Sequence, residues 1–324
     1  KVKVGMFDVD SWSRGKVTFP NLALMKLSAW HKQNGDTVQM YDPLDGEWYD
    51  KVYMARVFGD AYTRDYDGMI FADEIVKGGS GYAITIEDGK ELYHKDRDPE
   101  LPYEIEHIYP DYDLYGITDT AYGFLTRGCP RGCAFCHVKG MQGLRVRTVA
   151  RLSEFWNGQK NIVLLDPNIT ASRDYFMHME DLIASKAYVD FSQGIDIRLL
   201  TREKAEMLSK VKCKRIHFAW DRPEDDLEGK LQEVSSTMIG PRKSLKDKVT
   251  VYVLINFGST LEQDLKRVYA IRNAKMQPYI MCYRKDTASQ EQRRLMRWVN
   301  NPFVFWKCEH FEDYKKEVKN EQKQ

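Results

Sequence analysis

The chain has 324 residues, of which 43% are hydrophobic and 30% charged, proportions typical of a soluble globular protein. Its 49 Lys and Arg nearly balance 48 Asp and Glu, so the net charge of +1 gives the whole chain no bulk attraction for nucleic acids or membranes. We find neither a signal-peptide pattern nor an apolar stretch long enough to span a membrane. Six cysteines in a chain of this length do not form a disulfide framework, so we expect a reducing, cytoplasmic location.

Residues 1–85 are predicted to form a parallel α/β layer. Alternating apolar residues predict a strand within 1–10, and apolar residues at helical spacing predict a helix over 20–33. A glycine-rich turn at 78–81 follows the fourth predicted strand. The later strands of this layer are predicted over residues 37–41, 52–58 and 68–72. Strands alternating with a helix in this way favour a parallel sheet.

Residues 86–118 are predicted to be a connector. They are rich in charge, Tyr and Pro and lack a helical period. The Asp88-Gly89 pair predicts a tight β-hairpin turn within this segment. His94 and His107 are expected to be surface or packing residues.

Residues 119–288 alternate between predicted strands and helices. The strands are predicted over residues 121–126, 161–165, 188–197, 215–219, 250–255 and 279–283. The helices are predicted around residues 149–156, 172–185, 203–210 and 260–274. Six strand–helix units favour a partial TIM-type (β/α)6 barrel, in which the chemistry lies at the carboxyl ends of the strands. Residues 289–324 are predicted to form a C-terminal helical extension.

A cysteine-rich loop, RGCPRGCAFCH at 127–137, follows the first strand of this second region. Three cysteines occur there with the spacing Cys-x-x-x-Cys-x-x-Cys: Cys129, Cys133 and Cys136. Gly128 and Gly132 allow the backbone to wrap tightly. Three soft thiolates suit iron–sulfur or zinc chemistry, but a structural zinc site usually has four ligands in two pairs, and the second pair is missing. A zinc knuckle with His137 as the fourth ligand is the alternative.

The cysteine spacing, with Phe135 just before the last cysteine, resembles the signature of the radical S-adenosylmethionine (SAM) superfamily. The resemblance implies that the three cysteines hold a 4Fe-4S cluster whose fourth iron is chelated by the amino and carboxylate groups of SAM, with Phe135 near the adenine. It also implies a one-electron donor such as a flavodoxin or ferredoxin. SAM would be cleaved reductively to a 5′-deoxyadenosyl radical that abstracts hydrogen from a substrate, whose identity nothing in the sequence indicates.

The N-terminal region resembles the degenerate cobalamin-binding, flavodoxin-like domain that precedes many radical SAM barrels. The resemblance rests on residues 19–42, which match the helix and second strand of that domain. In the segment Asp10 to Gly15, Trp12 stands where the family has its cobalt-binding histidine. Cobalamin with a lower axial histidine is therefore not expected, and base-off binding without a protein ligand is the alternative. We expect this domain to serve as a scaffold that shapes the substrate cleft.

Polar residues follow the second predicted strand of the barrel-like region. Asp166 and Asn168 stand where related enzymes often carry Gly-Gly-Glu or an acidic pair that receives the SAM ammonium group. This chain departs from that pattern, so the two residues are assigned to the ammonium jointly. A carboxylate that accepts from an ammonium forms a charge-assisted, and hence stronger, hydrogen bond.

Further candidates for SAM binding follow the third and fifth strands. Alternation along the predicted third strand places Asp196 and Arg198 on one face, with Gln193 near the turn. Arg198 is the candidate for the SAM carboxylate and Asp196 for a ribose hydroxyl or the substrate. The alternative is an ion pair between these two side chains. Asn256 ends an otherwise apolar strand and is expected to face the adenine or the substrate.

Two other functions compete with hydrogen abstraction. The first is a radical methyl- or methylthiotransferase that acts on RNA or protein, but methylthiotransferases carry cluster cysteines in their N-terminal domain and residues 1–128 contain none. The second is a non-enzymatic metal-binding module that contacts nucleic acid. The basic run Lys139, Arg145, Arg147 and Arg151 could contact phosphates, although a solvated face is the simpler interpretation. No catalytic acid or base is evident.

Overall fold

The computed structural model describes residues 1–241 and 243–314, and the chain divides into two compact units. The first unit comprises Lys1–Pro167 with Ser172–Asp174, and the second comprises Asn168–Ala171 with the chain from Tyr175 onwards. The boundaries predicted at residues 85, 118 and 288 stay predictions. The part of the predicted helical extension that follows Tyr314 lies outside the described residues.

The first unit begins with a four-stranded parallel sheet. Its strands are β1 (Lys3–Asp8), β2 (Thr37–Met40), β3 (Tyr49–Ala55) and β4 (Ala72–Gly78), in the order β2-β1-β3-β4. Helices α1 (Val9–Arg14) and α2 (Leu22–Gln33) follow β1. Asn21 caps α2 by accepting a hydrogen bond from the backbone of Leu24, and Val4 and Met6 pack against Leu24 in the core.

The fourth strand was predicted at residues 68–72 and lies instead at β4. Met69 is 70% exposed, so the apolar run that suggested the strand does not enter the core. Among the strands of the described residues, β4 pairs with β3 alone and is therefore an edge strand, which tolerates charged residues such as Glu74 and Lys77. Charged residues in this edge strand interrupt the alternation of apolar and polar residues from which strands were predicted.

The remaining elements of the first unit are short. They are helices α3 (Ser80–Ala83), α4 (Tyr103–Glu106) and α5 (Val138–Gln142), and strands β5 (Ile84–Glu87), β6 (Lys90–Tyr93), β7 (Thr120–Gly123), β8 (Thr126–Arg127), β9 (Arg147–Thr148) and β10 (Asn161–Leu164), with 3-10 turns at Lys95–Arg97, Tyr112–Tyr115 and Leu152–Glu154. β7 and β10 pair in parallel. β5 and β6 form an antiparallel hairpin, and Asp88 and Gly89 have φ values of 48° and 72°, which confirms the predicted turn.

The helix predicted over residues 149–156 is wrong. Only Leu152–Glu154 is helical, as a single 3-10 turn. The backbone nitrogens of Val149 and Ala150 both lie within hydrogen-bonding distance of the Leu125 carbonyl oxygen, at 2.8 and 3.4 Å. This tertiary contact ties the segment to the chain beside β8 and prevents a helix from starting there.

The second unit contains four parallel strands, β11 (Tyr188–Phe191), β12 (Cys213–Ala219), β13 (Val249–Ile255) and β14 (Gln277–Cys282), each paired with the next. Its α-helices are α6 (Tyr175–Ser185), α7 (Arg202–Lys210), α8 (Glu228–Val234), α9 (Leu261–Asn273), α10 (Gln290–Val299) and α11 (Pro302–Lys307). Short 3-10 segments lie at Ile169–Ala171, Ile197–Leu199, Lys243–Lys248 and Phe311–Asp313, and a π-helical segment lies at Ser235–Ile239.

The strand predicted over residues 188–197 ends early, at Phe191. Gly194 has a φ of 98°, and the Ile195 nitrogen donates to the His217 carbonyl oxygen at 2.6 Å. The chain therefore turns before Asp196, and the alternation argument that placed Asp196 and Arg198 on one face of a strand is wrong.

The chain is a mixed α/β protein with parallel sheets, which confirms the α/β class of the predicted fold. Six parallel strands follow the first sheet, two in the first unit and four in the second. The helices of the described residues all lack the length or the apolar character needed to cross a membrane.

Candidate functional site

The cysteine-rich segment is a loop that the two-residue ladder of β8 and β9 closes at its base. The Cys129 nitrogen donates to the Gly143 carbonyl oxygen at 3.1 Å, and the Gly128 nitrogen donates to Oε1 of Gln142 at 3.1 Å. The two arms of the loop are thus bound to each other directly above the ladder. Sequence reasoning missed β8 and β9 because two-residue strands carry no periodic signal.

Glycine is required where the loop arms meet. Gly128 has a φ of 95°, and a Cβ atom there would lie 2.2 Å from the carbonyl oxygen of Arg145. Gly132, between the first two cysteines, has a φ of 57°. The two glycines predicted to let the backbone wrap therefore both adopt positive φ.

The three cysteines lie on this loop between its two arms. Cys129 and Cys133 are partly buried and Cys136 is exposed, and the Cys136 nitrogen donates to the Cys133 carbonyl oxygen at 3.1 Å. Phe135 is partly buried. Among residues 1–241 and 243–314, no three His, Cys, Asp or Glu side chains are grouped as a metal site.

His137, the alternative fourth ligand, has a partner of its own. Its Nε2 atom lies 3.0 Å from Oε2 of Glu91, a residue of β6. The contact links the start of α5 to the β5–β6 hairpin, where Tyr93 also lies beside the loop, 2.8 Å from the position of a Cβ atom on Gly140. The hairpin therefore supports the far side of the cysteine loop.

Asp166 anchors the chain that enters the loop. Its carboxylate is 4% exposed and accepts hydrogen bonds from the Leu125 nitrogen at 3.1 Å, from Oγ1 of Thr126 at 2.7 Å and from the Thr126 nitrogen. Burial raises the pKa of Asp166 to about 6, although these hydrogen bonds act in the opposite direction. Both carboxylate oxygens are used by the chain itself, and the assignment of Asp166 to the SAM ammonium stays a prediction.

A second anchor holds Arg127, the last residue of β8. Nη2 of Arg127 is 2.9 Å from Oε1 of Glu106, and Nζ of Lys26 is 3.1 Å from the same oxygen. Burial alone would raise the pKa of Glu106, but the two cations lower it below its usual value. The Arg127 guanidinium also lies 4.1 Å from the ring centroid of Phe124. Charge and stacking thus hold Arg127 at the base of the loop.

Three of the predicted SAM-binding residues meet in the second unit. Nδ2 of Asn168 donates to Oδ2 of Asp196 at 3.2 Å, and Nε of Arg198 donates to Oδ1 of Asp196 at 2.7 Å. Asp196 also caps the Ile197–Leu199 turn by accepting from the Arg198 nitrogen at 3.2 Å. The ion pair that was the alternative interpretation is present, but within one loop. We refer to Asn168, Asp196 and Arg198 as the Asn168 cluster.

Sequence reasoning missed the second partner of Arg198. Nη1 of Arg198 donates to Oδ2 of Asp225 at 2.9 Å, in the loop after β12, where no motif marks the residue. Burial would lower the pKa of Arg198, but the bonds to the two carboxylates raise it. Asp221, also after β12, has its pKa raised to about 6 by burial, against the opposing charges of Arg267 and Arg198. The carboxyl end of β12 therefore carries more charge than the sequence indicated.

The other two predicted residues of the second unit, Gln193 and Asn256, do not join the Asn168 cluster. Gln193 is exposed in the turn after β11. Asn256 has a φ of 61° and donates through Nδ2 to the Arg284 carbonyl oxygen at 2.7 Å and to Oγ1 of Thr287 at 2.9 Å. Asn256 thus holds the loop after β14, and the SAM-binding roles of both residues stay predictions.

The candidate residues fall into two groups. The cysteine loop and Asp166 belong to the first unit, and the Asn168 cluster, Gln193 and Asn256 belong to the second. In each unit they follow the carboxyl ends of parallel strands, where binding and catalytic residues of parallel α/β proteins usually lie. No protein-family model matches the chain, and no curated protein matches it either.

Proposed function

We propose that the protein is a radical SAM enzyme that binds a 4Fe-4S cluster through Cys129, Cys133 and Cys136. The observation that carries the proposal is the spacing of these three cysteines on a loop that glycines, a two-residue ladder and Asp166 hold at the end of β7. Three thiolates match the soft donors that iron–sulfur clusters require, and they leave one iron for another ligand. The donor set therefore fits this group in number and kind.

The proposal also extends to the two parts of the fold. The four parallel strands of the first sheet support a flavodoxin-like scaffold, with Trp12 in place of a cobalt-binding histidine. The six later parallel strands, each followed by helical or looped chain, support a partial (β/α)6 barrel. When bound, the cluster supplies the electron that cleaves the S–C5′ bond of SAM, which yields methionine and the 5′-deoxyadenosyl radical that takes a hydrogen atom from substrate.

The residues of the chain have distinct tasks in this proposal. Asp166 holds β8 in register with the loop base, so that the loop is oriented before any ligand arrives. Arg198 binds the SAM carboxylate through Nη2, which has no hydrogen bond among the described residues, while Asp196 and Asp225 orient its guanidinium. Asp196, already oriented by Asn168, accepts from an ammonium or a ribose hydroxyl. Phe135 packs against the adenine.

The test is anaerobic purification followed by iron and acid-labile sulfide analysis, then incubation with SAM and a chemical reductant. We expect iron and sulfide in equal amounts and 5′-deoxyadenosine as a product. Replacing any of the three loop cysteines by Ala should abolish both. Cys308→Ala is the matched control, because Cys308 is also partly buried but lies after α11, and it should retain both.

Three results would reject or redirect the proposal. Zinc without iron, or the absence of both 5′-deoxyadenosine and S-adenosylhomocysteine, would refute it. S-adenosylhomocysteine as a product would favour the radical methyl- or methylthiotransferase over hydrogen abstraction. If the proposal is correct, a flavodoxin or ferredoxin should replace the chemical reductant.

A further inference from the structure

The segment 120–153, which includes the cysteine loop, contains no Asp or Glu but six Lys or Arg. With 48 acidic residues in 324, a stretch of this length holds about five acidic residues on average. The chain has a net charge of +1 and this segment one of +6, so the remaining residues together carry −5. The near-neutral net charge therefore conceals a strong local excess of positive charge.

The surrounding structure neutralises only part of this charge. Glu106 binds Arg127, and Glu91 binds His137, both at the edges of the loop. Lys139 and Arg145 are exposed, and neither forms an ion pair within the described parts of the chain. Nη1 of Arg147 donates only to a neutral partner, the Gln142 carbonyl oxygen at 2.9 Å. Lys139 and Arg145 thus have no neutralising partner among the described residues, whereas Glu100, whose pKa is lowered by Lys95 and less strongly by Arg147, offsets part of the charge of Arg147.

The loop closure places these cations on one short, closed segment of the chain. The Gly143 nitrogen donates to the Lys139 carbonyl oxygen at 3.1 Å, and the Arg145 carbonyl oxygen lies against Gly128 on the opposite arm. Lys139, Arg145 and Arg147, which we call the cationic face, are therefore carried by one closed loop, although up to eight positions separate them in sequence. A rigid backbone lowers the entropic cost of using them together.

We propose that the cationic face binds the phosphate backbone of a nucleic acid. Protein-binding surfaces are depleted of charged residues at their centre, whereas a surface with an excess of positive charge matches a polyphosphate chain. Two of the three cations are arginines, whose planar guanidinium forms paired hydrogen bonds with phosphate oxygens. That the protein binds nucleic acid does not depend on the proposed function. That nucleic acid is the substrate class of the enzyme rests on the proposed function.

An exposed tyrosine and a partly buried histidine lie beside the anchor of the same loop. Tyr103, which is 76% exposed, has its ring centroid 4.3 Å from that of His107. Both lie at α4, whose Glu106 binds Arg127 at the loop base. The exposed Tyr103 ring, close to the loop base, can stack on an unpaired base, so we expect single strands to bind more tightly than duplexes.

The experiment measures binding of a short fluorescent single-stranded RNA to anaerobically purified protein by anisotropy at several salt concentrations, with single-stranded DNA and duplex RNA in parallel. The double variant Lys139→Gln/Arg145→Gln removes two phosphate contacts. The slope of log affinity against log salt should fall by about 1.4, which is about a 25-fold loss of affinity near 0.1 M salt. The control Lys214→Gln/Lys266→Gln removes equal charge from exposed positions of the second unit and should change binding less than about twofold.

Three outcomes would overturn the inference: salt-independent binding, no binding at low salt, or equal affinities of the two double variants. If the loop variant keeps its RNA affinity but is reduced more slowly by an acidic flavoprotein, the cationic face is a protein-docking surface instead. Iron and 5′-deoxyadenosine are measured in the same preparations. RNA binding by a protein that lacks iron and forms no 5′-deoxyadenosine would support the inference and reject the proposed function. Iron and 5′-deoxyadenosine without RNA binding would reject only the inference.

Discussion

The anchor at the base of the cysteine loop predicts a pH-dependent effect of replacing Thr126 with valine. Thr126 is fully buried, and its hydroxyl donates to Oδ1 of Asp166 at 2.7 Å. Valine has nearly the same shape, so the change removes one hydrogen bond to a carboxylate and leaves two backbone donors in place. A hydrogen bond to a charged group contributes roughly 1.5–3 kcal/mol, and we expect Thr126→Val to lower the free energy of unfolding by about 2 kcal/mol at pH values above the pKa of Asp166.

The pH dependence follows from the raised pKa of Asp166. Burial raises this pKa from 3.8 to about 6, so the folded chain binds the proton more tightly than the unfolded chain. The stabilisation from that proton is complete below pH 3.8 and is lost as the pH rises through about 6. The Thr126 hydroxyl lowers the pKa by binding the ionised form, so its removal raises the pKa further. The cost of Thr126→Val should therefore grow from below about 1 kcal/mol near pH 4 to about 2 kcal/mol near pH 8.

The assay is urea unfolding followed by tryptophan fluorescence at these two pH values. Thr148→Val is the matched control, because Thr148 pairs with Thr126 across the β8–β9 ladder and its hydroxyl donates to Asp174 at 2.5 Å. That pair is exposed, so the control should cost less than about 0.5 kcal/mol at both pH values. Equal costs for the two variants, or a cost of Thr126→Val that does not change with pH, would refute the role assigned to Asp166.

Two further predictions concern the backbone of the loop and a buried ion pair. Gly128→Ala should destabilise the loop by about 2 kcal/mol or more and lower iron incorporation, because Gly128 has a φ of 95° and a close backbone neighbour. In the control Gly158→Ala, the residue has a φ of 87° but open space around it, so the change should cost about 1 kcal/mol. Equal iron contents of the two variants would contradict this prediction. Arg267→Met should lower the free energy of unfolding by about 3–5 kcal/mol, because it leaves the fully buried Asp264, whose Oδ1 lies 2.5 Å from Nη2 of Arg267, without its counter-charge. Adding Asp264→Leu should recover part of this loss. If urea unfolding shows no recovery in the double variant, the explanation is contradicted.

Helices with local start signals were predictable from the sequence. The helix predicted over residues 260–274 is α9, Leu261–Asn273, and Thr260 and Gln263 form a reciprocal capping box at its start. The same kind of cap, formed by Ser289 and Gln292, begins α10. Both residues of such a cap lie within four consecutive positions, so the cap can be recognised from the local sequence.

The features that the sequence did not reveal depend on distant partners. The segment predicted as a helix over 149–156 is held by the Leu125 carbonyl oxygen, and the strand predicted over 188–197 is interrupted by a bond from Ile195 to His217. Asp225 becomes a partner of Arg198 only through the fold, 27 residues away in the chain. Propensity describes a residue's local preference, and here the tertiary contacts override it.

The same distinction explains how the cysteine loop is held. Because segment 120–153 contains no acidic residue, every carboxylate that binds it comes from elsewhere. Those with described contacts include Asp166, Glu106, Glu91, Asp174 and Glu154. These carboxylates contact the ladder, the base and the edges of the loop, where they satisfy buried donors or pair with Arg127 and His137. Within residues 1–241 and 243–314, Lys139 and Arg145 have no carboxylate partner. The acidic residues thus orient the loop, and the remaining cations produce a positive electrostatic potential near the cysteines. Such a potential favours the binding of anionic ligands, either thiolate-bound clusters or phosphates.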